Sequence, residues 1–274
     1  MRVRNCVDVA TLPNPHPPFG HPLPGGEGIQ ISGFEKPRIQ TPEMASNDPP
    51  LHRIRWQRAY RIVPSRFPPV GVFDAIANPK DLDALYQIEA LTNPRLREEW
   101  GELANVPKEH RVSGPGTTPL MAAFTHLNPE GSRFSDGSYG VLYLAHEFDT
   151  AVEETVYHRE QFLAATKEPP IDITMRCYVS GVHGMLHDIR GGWKAEHDPG
   201  SYGASRKLGT KLRAEGSNGI AYDSVRCKGG ECAALFYPDF ASPCVQGKHL
   251  MYRWDGERIA QVLEVSAVKR PRAV

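Results

Sequence analysis

Five side chains of this sequence have chemistry to offer one small ligand: Arg61, Arg133, Tyr143, Glu154 and Ser224. Three of them fall in GSRFSDGSYGVLYLAHEFDTAVEET, residues 131–155, where a glycine-broken polar loop feeds an apolar strand and then a helix. A fixed carboxylate such as Glu154 stabilises positive charge that develops in a transition state. An arginine fork fits the paired oxygens of a phosphate better than a lysine does. Tyr143 offers an aromatic face for stacking, and the Ser224 hydroxyl can bind a phosphate or a sugar oxygen. Each also has a plainer reading: a solvated helix glutamate, a core tyrosine with its hydroxyl satisfied, a strand serine bonded to backbone.

Those side chains need elements to hold them. Gly131 to Gly140 carries three glycines with Arg133 and Asp136, the composition of a loop whose backbone approaches something closely. Gly140 to Ala145 reads as a short buried strand that delivers Tyr143. Thr150 followed by Glu153 fits a capping box, so a helix is expected to begin at Thr150 and run toward Phe162. Glu153 then has a structural duty, and Glu154 shares a helix face with His158 and Ala151. The helix dipole near that N-terminus would favour an ionised Glu154. Gln57 to Val63 reads as the strand that delivers Arg61. Asp81, after Pro79, is the expected N-cap of a helix to Leu91 with Leu82, Leu85 and Ile88 recurring. A strand is expected over residues 171–183. A helix is expected from Asp198-Pro199, with a stripe of Ala204, Leu208 and Leu212, ending at Gly216. Gly219–Val225 and Cys232–Tyr237 read as strands joined by the CKGG turn, with Ile220, Tyr222 and Ser224 on one face. Short strands mixed with few helices imply an α+β domain, and no GxGxxG follows a strand, which argues against dinucleotide binding of the Rossmann kind.

Composition narrows the possibilities. The chain has 274 residues, 40% of them hydrophobic, with a formal net charge of zero, so no electrostatic footprint for nucleic acid is present. No apolar run is long enough to span a membrane, and the N-terminus lacks the apolar stretch of a signal peptide, so a bacterial cytoplasm is the expected compartment. Residues 1–50 are rich in Pro and Gly, as in PNPHPPFGHPLPGGEG at 13–28, and read as a disordered extension before a single domain over residues 51–274. Met44 opens MASNDPPLHRIRWQRAYRIV and is a candidate start codon. The five cysteines, Cys6, Cys177, Cys227, Cys232 and Cys244, show no disulfide-framework spacing. Cys227, Cys232, Cys244 and His249 match no zinc-knuckle spacing, so no metal is expected. His126 and His158 are candidate pocket-lining residues with no assigned catalytic duty.

Several motifs in order resemble a known family. Arg61 in WQRAYRIVPSRFPP, Glu154 in the strand-helix segment and Ser224 in GSNGIAYDSVRCKGGECAALFYP match the dispersed Arg, Glu and Ser for which the RES-domain family is named. LTNPR (91–95), GPG (114–116), MAAFTH (121–126) and RFSDGSYG (133–140) resemble a longer variety, and the resemblance covers roughly residues 53–262. It departs from many members at Phe134, where they carry Trp, and near Glu231 or Cys232, where they carry Asn. The resemblance implies a mixed, split β-sheet core with flanking helices, like that of ADP-ribosyltransferase toxins, and NAD as substrate with no cofactor. It implies a toxin that cleaves the nicotinamide–ribose bond with inorganic phosphate or water as acceptor, or one that transfers ADP-ribose to a protein. The implied partner is an Xre-type helix-turn-helix antitoxin. In that chemistry Glu154 faces the oxocarbenium-like ribose, Arg61 and Arg133 hold the diphosphate, and Tyr143 stacks on nicotinamide or adenine. The leaving nicotinamide is already cationic in NAD, so no strong general acid is required.

Overall fold

The β-strand propensity of LHRIRWQRAYRIVP is satisfied by one long strand, β1 (Leu51–Pro64), which begins six residues before the expected Gln57. The computed structural model describes residues 48–65, 73–74, 76, 78–92 and 101–266. The Pro/Gly-rich segment before residue 48, Met44, Cys6, most of FPPVGVF and the end of LTNPR lie outside them.

Strand β1 pairs antiparallel with β3 (Ile171–Asp188) from Leu51↔His187 to Pro64↔Met175, with a register shift between Trp56 and Ala59. Along its other edge β1 meets β2 (Leu142–Ala145) at Tyr60↔Ala145. Strand β2 continues through β5 (Glu231–Leu235) to β4 (Gly219–Asp223), and β4 runs parallel to the end of β3. The order β1-β2-β5-β4-β3 therefore returns to β1, and β6 (Val245–Trp254) and β7 (Ile259–Val265) extend from the first half of β3. One parallel pairing among antiparallel ones, with few helices, makes the fold mixed α+β, as expected.

Alternation sorts the apolar side chains into two cores. Leu142 and Leu144 of β2 and Ala233 and Leu235 of β5 join Ile54 and Trp56 on one face. There they pack against α1 (Leu82–Thr92) and α2 (Thr118–Thr125), through Leu82, Leu120, Met121 and Phe124. Ala145, Ile220, Tyr222, Cys232 and Ala234 face the opposite way, toward α3 (Phe148–Thr166) and α4 (Gly203–Ala214), meeting Ala151, Leu208 and Leu212. Each fully buried leucine contributes roughly 1.5–3 kcal/mol, so both helices are held mainly by these stripes.

Helix starts differ from the sequence reading, for local reasons. Helix α3 begins at Phe148 with Glu147 at the N-cap and no side-chain cap, so Thr150 and Glu153 do not form a capping box. Thr150 is instead 2% exposed, and a Cβ on Gly230 would overlap its side chain. Burying a β-branched residue against the sheet outweighs a cap worth about 1 kcal/mol. Before α4, Asp198 accepts the Gly200 N–H at 2.8 Å, forming a turn in place of a cap, and the helix waits until Gly203. Gly216 ends it at a φ of 81°, as expected. A 3₁₀ turn, Pro79–Asp81, capped by Asn78, precedes α1, so Asp81 is not the N-cap; Leu82 is buried but Leu85 is 37% exposed. The strand expected over residues 171–183 continues to Asp188 along β1, and β6 and β7 add a hairpin with no counterpart in the expected elements.

Candidate active site

Below Tyr60↔Ala145 the strands β1 and β2 part, and a cleft of about 830 Å³ opens between them, α3 and the loops around residues 128–133 and 199–206. That volume lies in the usual range for a small-molecule site. Arg61, Arg133, Tyr143 and Glu154 all line it.

Glu154 is seven residues into α3, too far along for the helix dipole to govern its charge. What fixes it is Ser224, whose Oγ donates to Glu154 Oε1 at 2.6 Å across 70 residues of sequence. The same Ser224 oxygen accepts the backbone N–H of Cys227 at 2.9 Å and of Arg226 at 3.2 Å, so its own proton is directed at the carboxylate. Ser224 is 9% exposed and does not line the cleft. Its hydroxyl is thus spent on Glu154 and not offered to a phosphate or ribose oxygen. The contact exists because Thr150 and Gly230 meet closely, pressing the β4–β5 turn onto α3.

Arg61 leaves β1 opposite Tyr178 and enters the cleft. Among the described residues its guanidinium has no hydrogen-bond or ion-pair partner. Burial lowers its pKa from the usual arginine value, and the neighbouring Cys244 and Tyr178 act in the other direction. An arginine that has lost part of its hydration and gained no partner is primed for an anion.

Arg133, 7% exposed, is more committed: one of its terminal nitrogens donates to the Glu196 and Asp198 carbonyls, each at 3.1 Å, and its guanidinium lies 4.6 Å from the Tyr202 ring centroid. Its loop packs on α4 where Gly209 leaves no room for a Cβ against the Phe134 backbone. The Tyr143 hydroxyl accepts the Phe134 N–H at 3.0 Å and bonds Ser132 Oγ at 2.8 Å, and burial pushes its pKa well above the usual phenol range. The hydroxyl therefore ties the loop down while the ring edges the cleft. Cys232 also lines the cleft, but burial raises its pKa and keeps it an inert thiol. Exposed His158 stands at the rim, and exposed His126 lies outside this cleft, beside an adjoining cavity.

A model of the RES domain matches residues 108–255 of the chain. The chain belongs to the RES-domain family. A relative, the uncharacterized protein y4oC of Sinorhizobium fredii, is 37% identical over 201 residues, which covers 73% of this chain and 84% of that protein. A chain from the crystal structure of the M. tuberculosis MbcT-MbcA toxin-antitoxin complex is similar at 11% identity and a TM-score of 0.35, covering 78% of this chain and 87% of that one. The matched stretch of this RES domain contains Glu154 and Ser224, while Arg61 precedes it.

Three residues of this RES domain's site were not singled out from the sequence. Arg206 donates to the carbonyls of Ser132 at 2.9 Å and Glu130 at 2.7 Å, holding the loop from below. Tyr202 lies between Arg133 and Arg206. Arg226 stacks 3.4 Å from the Tyr157 ring centroid and donates to the Pro199 carbonyl. The run SYGASRK held a signal, a tyrosine and an arginine one helical turn apart, but nothing marked its fold partners. Among the described residues no three His, Cys, Asp or Glu side chains stand together as a metal site, and no helix is long and apolar enough to cross a membrane.

Proposed function

We propose that the cleft binds NAD and that the protein cleaves its nicotinamide–ribose bond, Glu154 being the carboxylate that faces the oxocarbenium-like ribose. The observation that carries this reading is the Ser224–Glu154 hydrogen bond, which holds a carboxylate in one orientation in a cleft also lined by Arg61, an arginine with no partner among the described residues. A bound carboxylate that need not reorganise is worth most where charge develops. Ser224 acts as a positioning residue. Arg61 supplies bidentate donors to the diphosphate, and Arg133 adds charge while bracing the loop. The Tyr143 ring forms one wall against which a flat heterocycle can rest. When the bond breaks, its electron pair passes to the pyridinium nitrogen and neutral nicotinamide leaves, so no acid needs to stand on that side.

We extend this, from membership of the RES family, to a growth-arresting toxin of the cytoplasm that pairs with an Xre-type helix-turn-helix antitoxin. Incubation with NAD, following free nicotinamide with and without inorganic phosphate, tests the chemistry. Nicotinamide release without label on protein supports the proposal. Transfer of labelled ADP-ribose to a protein assigns the same cleft to ADP-ribosylation, and no loss of NAD rejects both.

A further inference from the structure

Helix α3 meets the β4–β5 turn at three points. Thr150 packs against Gly230, Glu154 accepts from Ser224 Oγ at 2.6 Å, and the Tyr157 ring centroid lies 3.4 Å from the Arg226 guanidinium. The three helical residues are four and then three apart, so they stand on one face of α3. The first two contacts anchor Glu154. The third reaches further, because Arg226 also donates to the Pro199 carbonyl at 2.8 Å.

Pro199 begins a short strap, Pro199 to Gly203, every residue of which lines the cleft and all but Tyr202 of which is exposed. Three arginines tie it to its surroundings. Arg133 holds the Asp198 carbonyl at 3.1 Å, Tyr202 lies between Arg133 and Arg206, and Arg226 joins Pro199 to α3 through Tyr157. The main-chain N–H of Arg226 donates to Ser224 Oγ at 3.2 Å. One residue thus touches the strap with its side chain and the anchor of the carboxylate with its backbone.

We propose that Arg226 is a positioning residue that couples the strap over the bound dinucleotide to the orientation of Glu154. The inference rests on the NAD reading and deepens it by giving that site a latch. An outward swing of the strap has to break the Pro199 bond or pull on residue 226, and a pull there acts on the oxygen that steers Glu154. With the strap seated, the guanidinium spans the Tyr157 ring and the Pro199 carbonyl, and the turn is held to α3 one helical turn beyond the point where Ser224 grips it. A carboxylate held in this way has no orientation left to find when charge develops on the ribose. Lysine can reach the carbonyl but offers no flat face to the ring. The plainer role, a surface arginine resting on a tyrosine, affects stability alone.

The test is a double-mutant cycle on nicotinamide release from NAD, between Arg226→Ala and Glu154→Gln. Neither change removes the main-chain N–H at residue 226, so the cycle reads the side chain. Arg226→Ala alone should lower kcat on the order of tenfold, as a misplaced reacting group does, and Arg226→Lys should recover only part of that loss. In the Glu154→Gln background the same change to Ala should alter kcat by less than about twofold, because its effect runs through the carboxylate. Equal losses in the two backgrounds overturn the proposal, and so does Arg226→Ala with full kcat and only a lowered melting temperature. Trypsin supplies a readout apart from turnover. Cleavage at exposed Lys194, which precedes the strap, should slow on adding ADP-ribose to the wild type and not to Arg226→Ala. Equal protection of the two overturns the coupling. Should Arg226→Ala fail to fold, Arg226→Lys is put through the same cycle and digestion, with smaller effects of the same sign expected and their absence overturning the proposal. A wild type that releases no nicotinamide rejects the cleavage reading and the positioning role together, whereas release by the wild type with an additive cycle rejects the positioning role alone.

Discussion

Arg111 and Arg61 are both drawn in from solvent, and their surroundings treat them in opposite ways. Arg111, 9% exposed, donates through Nε to Val106 at 2.9 Å, through one terminal nitrogen to Asp83 at 2.6 Å and through the other to Leu103 at 3.2 Å. Every nitrogen is used, and the result is a clamp between α1 and the segment from Leu103 to Val106. Arg61 has no such partner among the described residues and faces two cavities. A buried charge left without partners works against folding. Its place in the wall of a cleft leaves it open to an anion from solvent.

The sharpest way to break that contrast is to change charge without shape. Glu154→Gln should lower nicotinamide release by on the order of 10² to 10³, the cost of deleting one preorganised electrostatic group. NAD titration should show affinity within a few fold of wild type. Loss of binding in step with turnover would show that Glu154 holds the ground state and not the developing charge.

Exchanging the two arginines' fates comes next. Arg111→Met should cost about 2–3 kcal/mol in denaturant unfolding, since charged hydrogen bonds are lost and two carbonyls are orphaned, with activity per folded molecule unchanged. Arg61→Met should leave the unfolding midpoint the same or higher and weaken NAD binding along with turnover. Equal destabilisation by both would make Arg61 a structural residue.

Acid extends the comparison to a carboxylate. Asp188, 8% exposed, has its pKa lowered to about 2. Burial, the largest influence, works against the charge, and hydrogen bonds from Arg190 and His52 together overcome it. A carboxylate with a depressed folded pKa contributes stability above its unfolded value, here 3.8, and loses it as pH falls toward 2. That contribution is about 2 kcal/mol. Unfolding followed between pH 5 and pH 2.5 should show Asp188→Asn missing this part of the acid loss.

The smallest effect is expected beside the largest. Glu153 is exposed and caps nothing, so Glu153→Gln should change stability by no more than about 0.5 kcal/mol and leave turnover intact. An inactive Glu153→Gln with an active Glu154→Gln would reverse the assignment of the two neighbours.

The sequence spoke clearly where one physical signal dominated. The β-branched and aromatic run before Ala145, the alternation after Ile171 and the apolar stripe of α4 each had a single fold to satisfy. It misled where two signals competed: Thr150 has the chemistry of a cap and the shape of a core residue, and Asp198 can close a turn as readily as it can start a helix. Strand β6 was hidden because its first five residues, from Val245 to His249, are all exposed, and only the second half alternates into the core. For the site, the resemblance to the RES family singled out Arg61, Glu154 and Ser224, where residue types alone left plainer readings open, and neither gave the division of labour among them. That Ser224 serves Glu154, and that Arg61 is left unpaired among the described residues, depends on contacts between distant segments that no local periodicity encodes.

The pressing of Thr150 against Gly230 has a consequence for the chain while it is being made. Domains are synthesised from the N-terminus. On the ribosome, Arg61, Arg133 and Glu154 all emerge before Ser224 and the turn that clamps it. Until Gly230 has cleared the exit tunnel and the β4–β5 turn has settled onto α3, the carboxylate has no anchor and the ring of strands is open. A chain truncated anywhere before that turn is therefore expected to lack the Ser224–Glu154 anchor, whatever else of the domain has formed.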